Sequence, residues 1–83
     1  MKDYRVCGTN VGFAVTGAPL VDGDFDVTGF LTRAFAIDPD PAIFIETWVP
    51  SVGECAADLA ADRQWLEASI QNLKCVLDRV DRR

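Results

Sequence analysis

The chain has 83 residues, of which 49% are hydrophobic and 25% charged, and its formal net charge is −5. This length is enough for one small domain with a single core, and the composition excludes a disordered or fibrous protein. No apolar stretch approaches the ~18 residues of a membrane span, and the first ten residues lack the apolar segment of a secretory signal. We therefore expect one cytoplasmic domain over residues 1–83.

The acidic residues are concentrated in the middle of the chain. Residues 22–62 carry nine acids and one base, whereas the segments 1–21 and 63–83 are both slightly basic. A negative field of this kind repels phosphate backbones and attracts basic protein surfaces. We expect no direct binding to nucleic acid or membrane, and a protein partner with a basic surface.

Residue types that usually carry catalysis are scarce. The chain has no histidine, which removes the usual general base and the commonest transition-metal ligand, and it contains no phosphate-binding or nucleophile motif. Its three cysteines, Cys7, Cys55 and Cys75, form no CxxC pair, so they are expected to be reduced thiols that act as small hydrophobes. The chain is therefore not expected to be an enzyme or to hold a cofactor.

Four stretches in the first fifty residues predict three to four strands. "YRVCG", "VGFAV", "DFDVTGFLTRAFAI" and "AIFIETWV" are rich in β-branched and aromatic residues, and most alternate between apolar and polar positions. The third stretch also fits a helix, because one helical face would carry Val27, Phe30, Leu31, Ala34 and Phe35. Gly29 and the two threonines disfavour a helix, and the Phe, Val, Thr and Ile content favours a strand, so we expect a strand.

The stretch "DGDFD" at 22–26 resembles the start of a calcium loop. That template needs Gly at its sixth position and Glu at its twelfth, where this chain has Val27 and Arg33. A three-residue turn at 22–24 instead pairs Val21 with Phe25 and places the apolar residues of both strands on one face. We interpret the stretch as a hairpin turn and a strand start, and expect no metal site.

The last third of the chain predicts a long amphipathic helix. Ser51 and Glu54 have the spacing of a capping box, so the helix should begin at about Val52 and run to about Arg82. Its length of ~46 Å exceeds the ~30 Å of a nine-residue strand. We expect the far end to overhang the sheet and to be covered by a bend or a second copy of the chain. The predicted apolar stripe comprises Cys55, Leu59, Leu66, Ile70, Leu73, Leu77 and Val80.

Together these elements predict an α+β fold, in which an antiparallel β-meander of three to four strands packs against one long C-terminal helix. Two charges, Arg33 and Asp62, interrupt the apolar faces of this arrangement. We expect Arg33 to form an ion pair with Asp62 or with Glu46; alternatively, Arg33 and Asp62 line a binding notch.

The outer face of the predicted sheet is the expected partner-binding surface. If Ile43, Ile45 and Val49 point inward, the aromatic residues between them point outward beside acids, which suits a protein interface. With a slipped register the same rings belong to the core. The candidate partner-binding residues are Asp24, Asp26, Phe30, Phe44, Glu46 and Trp48.

The function that these features predict is that of a non-enzymatic inhibitor, which occupies a basic, nucleic-acid-binding surface of another protein. In size and charge the chain is similar to small acidic inhibitors that phages encode, anti-CRISPR proteins among them, and to nuclease immunity proteins. Two alternatives remain: a structural homodimer module that pairs through the C-terminal helix, and a small-ligand or metal-binding domain.

Overall fold

The computed structural model describes residues 1–80, which form an α+β fold with two strands followed by two helices. The elements are β1 (Asp3–Thr9), β2 (Gly12–Ala18), α1 (Val27–Ile37) and α2 (Cys55–Leu77). The long C-terminal helix is confirmed, whereas a meander of three to four strands is not, since the described residues contain a single sheet of two strands. No helix within residues 1–80 is both long and apolar enough to cross a membrane.

β1 and β2 form an antiparallel hairpin in which Asp3 lies opposite Ala18 and Thr9 lies opposite Gly12. The turn between them comprises Asn10 and Val11, and Gly12 adopts a φ of 144°, which side chains rarely allow. The predicted strands "YRVCG" and "VGFAV" therefore pair with each other, and the hairpin predicted at 22–24 is wrong.

α1 replaces the strand that was predicted over residues 25–37. The Asp26 carboxylate caps the helix by accepting a hydrogen bond of 3.0 Å from the Gly29 N–H. Val27, Leu31 and Phe35, spaced four residues apart, are buried in the core. The burial of this face outweighs the low helix propensity of Gly29 and the threonines, because propensity differences are smaller than the gain from packing.

The core lies where α1 meets the C-terminal half of α2. Leu20 enters this core and is held from both sides, since its N–H donates to the Ser69 hydroxyl at 3.0 Å and its carbonyl accepts from the Asn72 amide at 2.9 Å. The buried cluster comprises Leu20, Val27, Leu31, Phe35, Leu73, Val76 and Val80.

The overhang of α2 is at the end opposite to the predicted one. Leu73 and Val80 are buried and Leu77 packs against them, whereas Leu59 and Leu66 in the N-terminal half are 70% and 43% exposed. The apolar stripe runs the length of the helix, but only its C-terminal half meets α1. The predicted course of the helix beyond residue 80 lies outside the described residues.

α2 begins at Cys55, three residues later than predicted. Gly53 adopts a φ of 81°, which interrupts the helical path, and the Glu54 carboxylate caps the helix by accepting from the N–H groups of Ala56 and Ala57. Ser51 is not the N-cap; its hydroxyl donates to the Asp58 carboxylate at 2.7 Å.

Residues 41–49 are extended but do not form a regular strand. Ile43, Ile45 and Val49 are half-buried, as is Thr47, and the alternate residues Phe44, Glu46 and Trp48 are exposed, so the predicted alternation is present. The Glu46 N–H donates to the Met1 carbonyl at 2.8 Å, and the Met1 amino group donates to the Phe44 carbonyl. These two bonds attach the segment to the beginning of β1.

Candidate functional site

The acidic stretch at 22–26 encloses a buried carboxylate of the chain itself. Asp3 is 1% exposed, and its two oxygens accept hydrogen bonds of 2.7 to 3.1 Å from the backbone N–H groups of Tyr4, Val21, Gly23 and Phe25. Within residues 1–80 there is no cluster of three or more side chains able to hold a metal ion. Sequence reasoning missed Asp3, because nothing local links it to a loop some twenty residues later.

Two of the candidate partner-binding acids have structural roles. Asp26 caps α1. The Asp24 carboxylate accepts a hydrogen bond of 2.7 Å from the Val6 N–H, and its own N–H donates to the Tyr4 carbonyl at 2.6 Å. The prediction that both project from the outer face of a sheet is wrong, because residues 22–26 form a loop against β1 and not a strand.

Three other candidates project from one side of the extended segment. We call Phe44, Glu46 and Trp48 the aromatic ridge; Phe44 is 76% exposed and Trp48 is 51% exposed. The Glu46 carboxylate lies 3.8 Å from the Lys2 ammonium group, and both side chains are largely solvent-accessible. Because alternate residues of an extended chain are ~7 Å apart, the Cα atoms of Phe44 and Trp48 are ~13 Å apart, with Glu46 between them.

Phe30 reaches the ridge although it lies on a helix. Phe30 and Phe44 both line an open, mainly apolar groove of about 280 Å³ between α1 and the extended segment, together with Met1, Ala34, Pro41, Ala42 and Ile43. The ring of Phe30 also packs against that of Phe25, with 5.6 Å between centroids. The side chains that line the groove are uncharged, and the charged group next to it is the Met1 amino group, which donates to the Phe44 carbonyl.

The hairpin presents an exposed apolar face that sequence reasoning did not identify. Side chains alternate along a strand, so Tyr4 and Val6 of β1 share one face with Phe13 and Val15 of β2, and all four are exposed. Among residues 1–80, the strand formed by "VGFAV" pairs only with β1, and neither of the described helices covers this face. Trp48 lies at one end of it, because a Cβ added to Gly17 would collide with the Trp48 carbonyl.

Arg33 and Asp62 do not come together. Arg33 is exposed on α1 and Asp62 is exposed on α2. Among residues 1–80 no ion pair joins them, and Glu46 pairs with Lys2 rather than with Arg33. The structure therefore does not show the predicted ion pair. Neither residue lines the groove beside Phe30. The two charged residues that interrupt the apolar pattern of the sequence therefore lie on solvent-exposed faces of α1 and α2.

The three cysteines are all exposed free thiols. The expectation that they pack as small hydrophobic residues is therefore wrong. A carboxylate with a lowered pKa, that of Asp58, lies at the start of α2. A hydrogen bond from the Ser51 hydroxyl, and after it one from the Val52 N–H, lowers the pKa of Asp58 below its ordinary value of 3.8. This carboxylate therefore caps the turn that precedes the helix.

No protein-family model, curated protein or solved structure matches this chain. The aromatic ridge and the adjoining groove are the surfaces that bring sequence-predicted residues together.

Proposed function

We propose that this chain is a non-enzymatic, cytoplasmic binding protein whose aromatic ridge docks on a basic surface of another protein. The observation that carries the proposal is the exposure of Phe44 and Trp48 on one side of an anchored extended segment, with Glu46 between them. Aromatic residues supply most of the binding energy at protein interfaces, and a rigid backbone lowers the entropy lost on binding.

The groove beside the ridge supplies a second point of contact. An apolar side chain of the partner fills the space between Phe30 and Phe44, and it exchanges exposed apolar surface for packed contact at ~25 cal/mol per Å². Since each aromatic residue contributes ~150–250 Å², the two ridge rings and Phe30 reach the ~300–600 Å² that is typical of a functional patch.

The negative charge of the chain favours a partner with a basic surface. Residues 22–62 carry nine acids against Arg33 alone, so this part of the molecule attracts a basic surface and repels the phosphates that such a surface would otherwise bind. An acidic protein seated on a nucleic-acid-binding groove acts as an inhibitor by exclusion. Small phage inhibitors of the anti-CRISPR kind and nuclease immunity proteins are similar in size and charge, and this mode of action is the one that we propose.

The experiment uses the wild-type chain and a Phe44→Ala/Trp48→Ala variant, each immobilised and exposed to an extract of the native host. Leu59→Ala is the matched control, since Leu59 is an equally exposed apolar residue on α2. We expect wild type and the control to retain a basic protein that the double variant does not retain. Double-stranded DNA or RNA should displace it, and far less should bind at 500 mM salt than at 50 mM salt. Equal capture by all three chains, or capture that nucleic acid does not reduce, would contradict the proposal.

A structural homodimer is the second candidate function. Leu59, Leu66 and Ile70 form an exposed apolar row along the first two thirds of α2, next to the face that enters the core. In this case Leu66→Glu abolishes self-association, and the ridge variant leaves it unchanged. Sedimentation equilibrium of the two variants distinguishes this function from docking on a foreign protein.

A further inference from the structure

The two edges of the hairpin differ in how they are terminated. On the β1 side, the Tyr4 carbonyl accepts from the Asp24 N–H and the Val6 N–H donates to the Asp24 carboxylate. A single residue thus occupies two of the outward-pointing groups at the start of β1, where a further strand would have to pair. Natural proteins block strand edges in this manner to prevent unwanted pairing.

The β2 edge is open. Residues of an antiparallel strand point alternately toward and away from their partner strand. Since Tyr4 and Val6 point away from β2, their opposite residues Gly17 and Val15 point away from β1, and so does Phe13. No hydrogen bond joins the backbone of Phe13 or Val15 to any other segment within residues 1–80. The Trp48 carbonyl lies over the face of the sheet at Gly17, where a Cβ would project, so it does not cover the edge at Phe13 and Val15.

None of the usual protective features is present on this edge. Gly12–Ala18 contains no charged residue and no proline, and its register with β1 runs without a bulge. Phe13 is 73% exposed, and Val15 is exposed beside it. A two-stranded sheet is marginal by itself, and a third strand is the ordinary way to stabilise it.

We propose that β2 pairs with β2 of a second copy of this chain, so that two hairpins form one four-stranded antiparallel sheet. A two-fold axis at Ala14 brings Phe13 opposite Val15 of the partner subunit and repeats the same pair on the other side. In this register the outward-pointing N–H and C=O groups of Phe13 bond to those of the partner's Val15.

The composition of β2 favours a second copy as its partner. Each chain has a net charge of −5, so two copies repel each other over most of their surface, yet β2 carries no charge and places no like charges opposite one another. An aromatic residue opposite a β-branched residue is a favourable cross-strand pair, and the symmetry forms it twice. This interface uses an edge, whereas the proposed docking on a foreign protein uses the aromatic ridge, so either can fail without the other.

Hydrogen exchange of the unmodified protein tests the pairing. We expect the amides of Phe13 and Val15 to exchange at least about tenfold more slowly at high protein concentration than at low concentration. The amides of Ala14 and Thr16 already face β1, so their exchange should slow by a much smaller factor, which reflects only the added stability of the paired hairpin. Sedimentation equilibrium over the same range should show a monomer converting to a dimer.

A cross-linking pair provides the second measurement. Cys7, Cys55 and Cys75 are first replaced by serine, because Cys7 lies directly opposite Ala14 within the chain. In this background Ala14→Cys places two thiols across the axis with Cα atoms ~4.5 Å apart, which suits a disulfide. Thr16→Cys lies on the same face of the same strand, but its copies are ~14 Å apart, so it is the matched control.

We expect mild oxidation to convert Ala14→Cys, and not Thr16→Cys, into a covalent dimer. A protein that stays monomeric at all concentrations would overturn the proposal, as would equal cross-linking at both positions. A dimer in which the Phe13 and Val15 amides still exchange freely would place the interface elsewhere, for example on α2, and would also refute pairing through β2.

Discussion

Replacing Asp3 with asparagine tests whether one buried carboxylate organises the acidic loop. One carboxylate oxygen accepts from the N–H groups of Tyr4 and Phe25, and the other accepts from those of Val21 and Gly23. Asparagine has nearly the same shape but keeps only one acceptor oxygen, and its amide nitrogen is a donor. In either orientation, two backbone N–H groups therefore face another donor.

The size of the effect follows from those two lost acceptors. A buried N–H left without a partner costs ~1–3 kcal/mol, so Asp3→Asn should reduce the free energy of unfolding by ~2–6 kcal/mol. A chain of 83 residues has a total stability of ~4–12 kcal/mol at the usual ~0.05–0.15 kcal/mol per residue. The substitution should therefore remove a large share of the total and leave a chain that is partly unfolded at 37 °C.

Urea unfolding followed by tryptophan fluorescence and circular dichroism measures this loss. Asp24→Asn is the matched control, because Asp24 is an exposed carboxylate of the same loop that accepts one backbone N–H, from Val6, and an amide oxygen can take its place. The control should lose less than ~1 kcal/mol. If Asp3→Asn unfolds at the same urea concentration as wild type, the loop does not depend on the carboxylate and the explanation given for residues 21–25 is refuted.

Three further substitutions test single features of the fold. Val21 has a φ of 81°, a conformation that costs a side chain ~1–2 kcal/mol, so Val21→Gly should raise the melting temperature by a few degrees despite the entropy of glycine; an unchanged or lower value would contradict this. Ser69→Ala leaves the buried Leu20 N–H without its acceptor and should lower the free energy of unfolding by ~1–3 kcal/mol in urea titrations, whereas a neutral result would mean that another group accepts it. Ser51→Ala should raise the pKa of Asp58 toward 3.8 in an NMR titration. Because the folded pKa is lowered, the stability that Asp58 contributes is present above the unfolded pKa and is lost as the pH falls through the folded value, so this variant should lose less stability in acid than wild type.

Some of the fold was predictable because it rests on local patterns. The helix of the last third follows from a long apolar stripe that no strand can present on one face. The extended segment follows from the alternation between Ile43 and Val49, which places Phe44 and Trp48 outward whether or not a neighbouring strand pairs with it. The acidic charge of the middle of the chain is likewise a property of the sequence alone.

The remaining features depend on partners distant in the chain, and only the tertiary structure decided them. Residues 25–37 satisfy both a helical and an alternating pattern, and the choice falls to α1 because Leu31 and Phe35 pack against the end of α2. The loop at 22–26 is a turn around Asp3 rather than a hairpin, since its backbone N–H groups find a carboxylate some twenty residues earlier. The stripe on α2 is uniform, so its sequence does not reveal which half will be covered; the position of Leu20 and α1 leaves Leu59 exposed and buries Leu73.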